Sequence, residues 1–137
     1  MDGKLSPMSD TFTMQSWDER VVSGQEGAPR FAHAHATFAY SGVIEGASIC
    51  DYLLYYAGDG YEGDNQTAPG FERIEGSVDG RKGSFVIRHE VGYSAHGVRG
   101  TFTVIPGSAT GELAGLTGHG TVAGASETMN YTFEYTL

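Results

Sequence analysis

From Phe31 to Tyr40 the chain reads FAHAHATFAY, and its last seven residues read YTFEYTL. In both stretches, residues of one character recur at every second position, the spacing that sends alternate side chains to opposite faces of an extended strand. Segments of alternating or wholly apolar character recur at 11–22, 31–44, 47–57, 70–78, 83–93, 98–106, 117–123 and 128–137, bounded by turn-forming runs such as EGAP, SGVIEG, AGDG, VDGRKG, SAHG and PGS. Only Glu112 to Leu116 suggests a short helical piece. Twenty-one glycines against four prolines fit strands that turn tightly and bend, not a proline-rich disordered chain. The chain is therefore expected to be all-β, an eight-stranded antiparallel β-barrel, since closure removes exposed strand edges.

At 137 residues there is room for one domain with its own core. Residues 1–8 read as a flexible leader and 9–137 as the barrel. The single cysteine, Cys50, excludes an internal disulfide, and the opening MDGKLSPMSD lacks the basic and apolar regions of a secretory signal. A cytoplasmic setting is expected. The formal net charge of −9 repels phosphate backbones and anionic lipid heads, so neither nucleic acid nor membrane is an expected partner.

Parity assigns faces. Tyr131, Phe133, Tyr135 and Leu137 share one face, expected to be internal, and Phe85, Ile87, His89, Val91 and Tyr93 share another. Glu72 lines up with Ile74 and Val78, although Phe71 falls on the opposite side. ICDYLLYY is apolar on both faces, with Ile49, Asp51, Leu53 and Tyr55 on one and Cys50, Tyr52, Leu54 and Tyr56 on the other. A barrel strand has one inner face, so the second calls for cover, most simply by another copy of the chain in a homodimer or small homo-oligomer.

His33 and His35 share a face opposite Ala32, Ala34, Ala36 and Phe38. Paired imidazoles on one strand are how many barrel metal sites begin, but no third ligand follows nearby in sequence, the next acid being Glu45. His89, His96 or His119 could reach the pair through space. The simpler expectation is a polar outer stripe with no metal. The glycine-rich run from Pro106 to Gly120 has Glu112 where a phosphate-binding loop needs lysine, so it reads as a shaped connection between strands. No Gly-x-Ser-x-Gly elbow is present, and Cys50 in an apolar strand reads as small filling.

The stretches FERIEGSVDGRKGSFVIRH, TVIPGSATGELAGLTGHG and YTFEYTL, with weaker agreement at FTMQSWDE and YSGVIEG, resemble a bacterial domain-of-unknown-function family with an allene oxide cyclase-like β-barrel. The resemblance covers most of residues 11–137. It departs in the longer, more acidic 58–68 segment and at Asp51, where glutamate is expected. The resemblance implies a barrel that binds a small apolar molecule, either as a cofactor-independent cyclase or isomerase acting on a small organic or polyketide-like molecule, or as a non-catalytic binding or accessory protein. In such an enzyme an apolar cavity folds the substrate while a few buried polar groups stabilise developing charge. Candidates for those groups are Glu72, His89 and Asp51, all expected to point inward, with Tyr52, Tyr93, Tyr131 and Tyr135 as ligand-binding hydroxyls. Each has a structural alternative: Glu72 pairing with Arg73 or Arg99, His89 with a tyrosine, and the tyrosines as core.

Overall fold

The computed structural model describes residues 10–58, 66–94 and 96–137, so the expected leader lies outside the described residues. It contains β1 (Thr11–Gly24), β2 (Arg30–Ser41), β3 (Ile44–Tyr56), β4 (Gln66–Val78), β5 (Arg81–Ser94), β6 (Gly97–Val104), β7 (Thr117–Gly124) and β8 (Thr128–Thr136), with one 3-10 turn at Gly111–Leu113. Each strand pairs antiparallel with the next, and β8 returns to β1 to close the barrel. No helix among the described residues is long and apolar enough to cross a membrane.

Two hairpins set the register that the rest follows. Between β4 and β5 the chain turns through Asp79 and Gly80, both at positive φ (47° and 84°), and Val78 pairs with Arg81. An Asp-Gly pair supplies this two-residue turn at little strain, and its twist matches that of the strands. Between β2 and β3 the turn lies at Gly42–Val43, with Gly42 at φ 106°. The sequence reading carried the first of these strands to residue 44 and began the next at 47. Gly46 instead lies within β3, opposite Tyr40 on one side and Gly76 on the other. A side chain there would collide with the Glu75 carbonyl, its Cβ only 2.2 Å away. Glycine here marks a close approach of strands rather than a turn.

One half of the interior is filled. Phe12, Phe38, Tyr40, Ile44, Ile74, Val78, Phe85, Ile87, Phe102, Val104 and Tyr131 form the main core. Phe12 stacks on Tyr40 at 5.3 Å between centroids, and Phe133 packs on Phe85 and Phe102 at 6.2 and 5.8 Å. The 105–116 connection closes this end by burying Leu113 and Leu116 completely or nearly so. It is pinned to β5 by Thr110 N–H to the Ser84 carbonyl (2.8 Å), Val86 N–H to Ser108 Oγ (3.0 Å) and Lys82 N–H to Glu112 Oε1 (2.9 Å). The glycine-rich run is thus a plug for the barrel.

The other half is built differently. β2 presents Ala32, Ala34 and Ala36 inward, all buried, and these leave room for larger rings from β1 and β3. In β1 the register with β2 shifts between Met14 and Ser16, a one-residue bulge at Gln15. Because a bulge changes which side chains face inward, Met14 and Trp17 both reach the interior side. Closure is short: β1 meets β8 only from Thr11 to Thr13, after which β1 continues against β2 alone.

Candidate functional site

Where β1 parts from β8, a cavity of about 590 Å³ opens between β1, β3, β5, β6 and the β7–β8 turn. Met14, Trp17, Phe38, Leu54, Val91 and Met129 supply its apolar wall, and Ala68 leaves volume on β4. A volume in this range suits one small organic molecule. Tyr52, Tyr56 and Tyr93 complete the lining, and the Tyr93 hydroxyl donates to the Tyr55 carbonyl at 3.3 Å. Burial raises all three above the usual tyrosine range, with the Glu19 carboxylate adding to the effect on Tyr56 and Tyr93, and neighbouring Cys50 and Glu72 adding to it on Tyr52. They remain neutral hydroxyls at physiological pH.

Polar contacts hold the rim rigid. Trp17 stacks on Tyr52 at 6.0 Å and donates its indole N–H to Glu19 Oε1 at 3.0 Å. Tyr56 donates to the other Glu19 oxygen at 2.6 Å. The buried Arg30 guanidinium lies 4.6 Å from the centre of the Tyr56 ring and donates to the carbonyls of Ala28 and Gly58, both at 3.0 Å. Arginine over an aromatic face combines cation–π attraction with packing.

Beneath the cavity lies a buried polar cluster. Glu72 on β4 is 1% exposed and His89 on β5 is 2% exposed, with His89 Nε2 lying 2.6 Å from Glu72 Oε1. Tyr40 donates to Oε2 at 2.7 Å, and Ser48 donates to the same oxygen. Glu72 therefore has three hydrogen-bond partners and His89 one, neither the arginine nor the tyrosine pairing weighed from sequence. His89 Nδ1 is buried with no partner among the described residues. Burial raises the Tyr40 hydroxyl and the Cys50 thiol well above their usual ranges, and the neighbouring Glu72 charge reinforces both shifts. Cys50 is a protonated filler, not a nucleophile. The Tyr52 ring lies 5.7 Å from the His89 ring and also lines the cavity, so it stands between the cluster and that space. Neither Glu72 nor His89 is among the lining residues.

Asp51 is a correction: expected inward, it lies on the outer face of β3, its side chain 49% exposed. β2 decides this, because Cys50 pairs with the inward Ala36, leaving Asp51 opposite the outward His35. Its Oδ1 lies 2.7 Å from His35 Nδ1 and 2.8 Å from His33 Nε2. The hydrogen bond from His35 is the largest influence holding its carboxyl below the usual range, and His33 lowers it further. Tyr131 and Tyr135 lie away from the cavity. Tyr131 is buried near the β2–β3 turn, taking the Ile44 N–H and donating to the Ser41 carbonyl, both at 2.9 Å, and burial pushes its hydroxyl up to about 12. Tyr135 donates to Asp79 at the β4–β5 turn. Both serve the closed end, leaving Tyr52 and Tyr93 at the cavity.

Sequence parity missed Met14, Trp17, Ala68 and Met129. The Gln15 bulge hid the first two. Ala68 lies before the predicted start of its strand, and Met129 lies beside the short closure.

Residues 8–135 match the family described as "Protein of unknown function (DUF3224)". The chain belongs to that family. A crystal structure of a DUF3224 protein of unknown function from Shewanella oneidensis MR-1, at 1.84 Å resolution, is similar to it with a TM-score of 0.67 and 21% identity. The match covers 93% of this chain and 98% of that one, a likeness of fold. No curated protein matches.

Proposed function

We propose that this DUF3224 barrel is a cytoplasmic receptacle for one small, uncharged, largely apolar molecule, held in the cavity between β1 and the β7–β8 turn. The observation that carries the reading is the apolar hollow of about 590 Å³ beside the packed main core, with the rings of Trp17, Tyr52, Tyr56 and Tyr93 in its wall. Removing apolar surface from water supplies the affinity, and the shape of the aromatic wall supplies orientation. Native mass spectrometry of freshly purified protein, followed by titration with the neutral dye N-phenyl-1-naphthylamine, tests it. One saturable dye site per barrel is expected, while a linear, unsaturable signal would overturn the reading.

A second reading, rearrangement of the bound molecule without a cofactor, draws on the unpartnered His89 Nδ1 and the Glu72 carboxyl behind Tyr52. Proton transfer would require the ligand to come within hydrogen-bond reach of that pair, from which the Tyr52 ring now separates the cavity. Binding alone requires no such step and is the reading preferred. A compound that co-purifies with Glu72→Gln but is released altered by the wild type would reverse that preference.

The expected second copy has a face to occupy. Phe31, Ile49, Leu53, Tyr55 and Phe71 are exposed on the outer side of β2, β3 and β4. The chain carries formal charge −9, but here Asp51 is met by two imidazoles and Glu75 by Arg73 at 3.3 Å. Apolar side chains grouped on one outer face are the kind of surface a second copy covers. Light scattering after size exclusion is expected to give a dimer mass for the wild type and a monomer mass for Leu53→Arg. A wild-type monomer at high micromolar concentration would contradict the pairing.

A further inference from the structure

Two groups of metal-ligating side chains occur among the described residues, Cys50 with Glu72 and His89, and His33 with His35 and Asp51. The first is sealed in the core, and both Glu72 oxygens are already engaged by Tyr40, Ser48 and His89. A cation entering there would have to displace those bonds and shed its water with no path from solvent. The second group is open.

We propose that His33, His35 and Asp51 form a divalent transition-metal site on the outer face of the barrel, with Zn²⁺ as the physiological ion. The β2–β3 hairpin builds it. His33 and His35 stand at successive outward positions of β2, and the register sets Asp51 of β3 directly across from His35 and diagonal to His33. His33 Nε2 and His35 Nδ1 converge on one oxygen, Asp51 Oδ1, at 2.8 and 2.7 Å. On the single barrel the three side chains are 37%, 46% and 49% exposed, so an ion reaches them there without opening the fold.

The donor set selects the ion. Two imidazoles and a carboxylate suit Zn²⁺ and its neighbours in the first transition series, whereas Mg²⁺ and Ca²⁺ favour all-oxygen shells. Zinc holds such donors at about 2.0–2.2 Å, which asks the nitrogens and oxygen to separate by about half an ångström from their present spacing. Side-chain rotation on an exposed strand face supplies that movement. Both imidazoles bind as neutral rings, and the nitrogens that then carry hydrogen can donate to water. Three protein ligands leave at least one coordination position for water or an exogenous group. All three donors belong to one chain, so the stoichiometry is one ion per single barrel, read in Leu53→Arg, which removes the pairing expected on this same face.

The test is calorimetric titration of Zn²⁺ into tag-free protein stripped with a chelator. The Leu53→Arg protein, the background for each further change, is expected to bind one ion per chain. Asp51→Asn and His35→Ala are each expected to weaken binding by at least about tenfold, the lower end of what even outer-shell losses cost. His96→Ala and His119→Ala are expected to leave it unchanged. No saturable binding, equal binding by the Asp51 and His35 variants, or loss of binding in Cys50→Ser would each overturn the assignment. A second measurement needs no substitution: with Co²⁺ as probe, the imidazole resonances of His33 and His35 shift or broaden first. Selective broadening of other histidines would contradict the site.

Discussion

Replacing Glu72 with leucine is expected to destabilise the barrel by about 3–5 kcal/mol, the loss typical of removing one member of a buried polar pair. The substitution removes the group that Tyr40, Ser48 and His89 all address, in a region where water cannot replace it. Three polar groups would lose their shared partner, and each buried unsatisfied group costs free energy out of proportion to the bond it made. Urea denaturation is the measurement, with the midpoint expected to fall by at least about 1 M given the slopes usual for small domains. Glu72→Gln retains an acceptor and is expected to lose less. Adding His89→Phe to Glu72→Leu is expected to cost less than the sum of the two single changes, because the second no longer strands a partner. A Glu72→Leu variant as stable as the wild type would mean the cluster contributes nothing to the fold.

The second large effect concerns binding. Ala68→Trp places an indole in the hollow from the β4 side, where alanine now leaves the space. Dye affinity is expected to fall by at least about tenfold, since lost apolar burial of even 60 Å² corresponds to roughly 1.5 kcal/mol. Stability is expected to fall by no more than about 1–3 kcal/mol, the usual cost of enlarging a buried side chain, because most of the ring enters the hollow. The two experiments separate roles: the Glu72 change acts on the fold from beneath Tyr52, and the Ala68 change acts chiefly on the ligand space. Unchanged dye affinity in Ala68→Trp would place the dye elsewhere.

Much of this architecture is written locally in the chain. The Asp79–Gly80 turn pins β4 to β5, and the alternation in 31–40 and 131–135 marks faces that the barrel respects, whereas Leu137, expected internal, lies beyond the end of β8 and is exposed. Asp51 shows where local reading ends. Its strand is apolar on both sides, so parity alone cannot choose, and the choice is made by the neighbouring strand. Residues equidistant from Val43 stand opposite one another, which aligns Asp51 with His35 and Cys50 with Ala36. The same pairing supplies the third donor that the His33 and His35 motif lacks within its own segment. The cavity was less legible still, because it depends on the Gln15 bulge and on the short β1–β8 seam, neither of which has a local signature.

The most direct test of the receptacle is nuclear magnetic resonance of ¹³C-methyl methionine protein titrated with N-phenyl-1-naphthylamine. Met14 and Met129 line the hollow on either side of the seam. Binding as proposed shifts both methyl signals together and saturates at one dye per barrel. Met14 and Met129 methyl signals that stay fixed while the dye still binds saturably would put the dye outside the hollow and contradict the account.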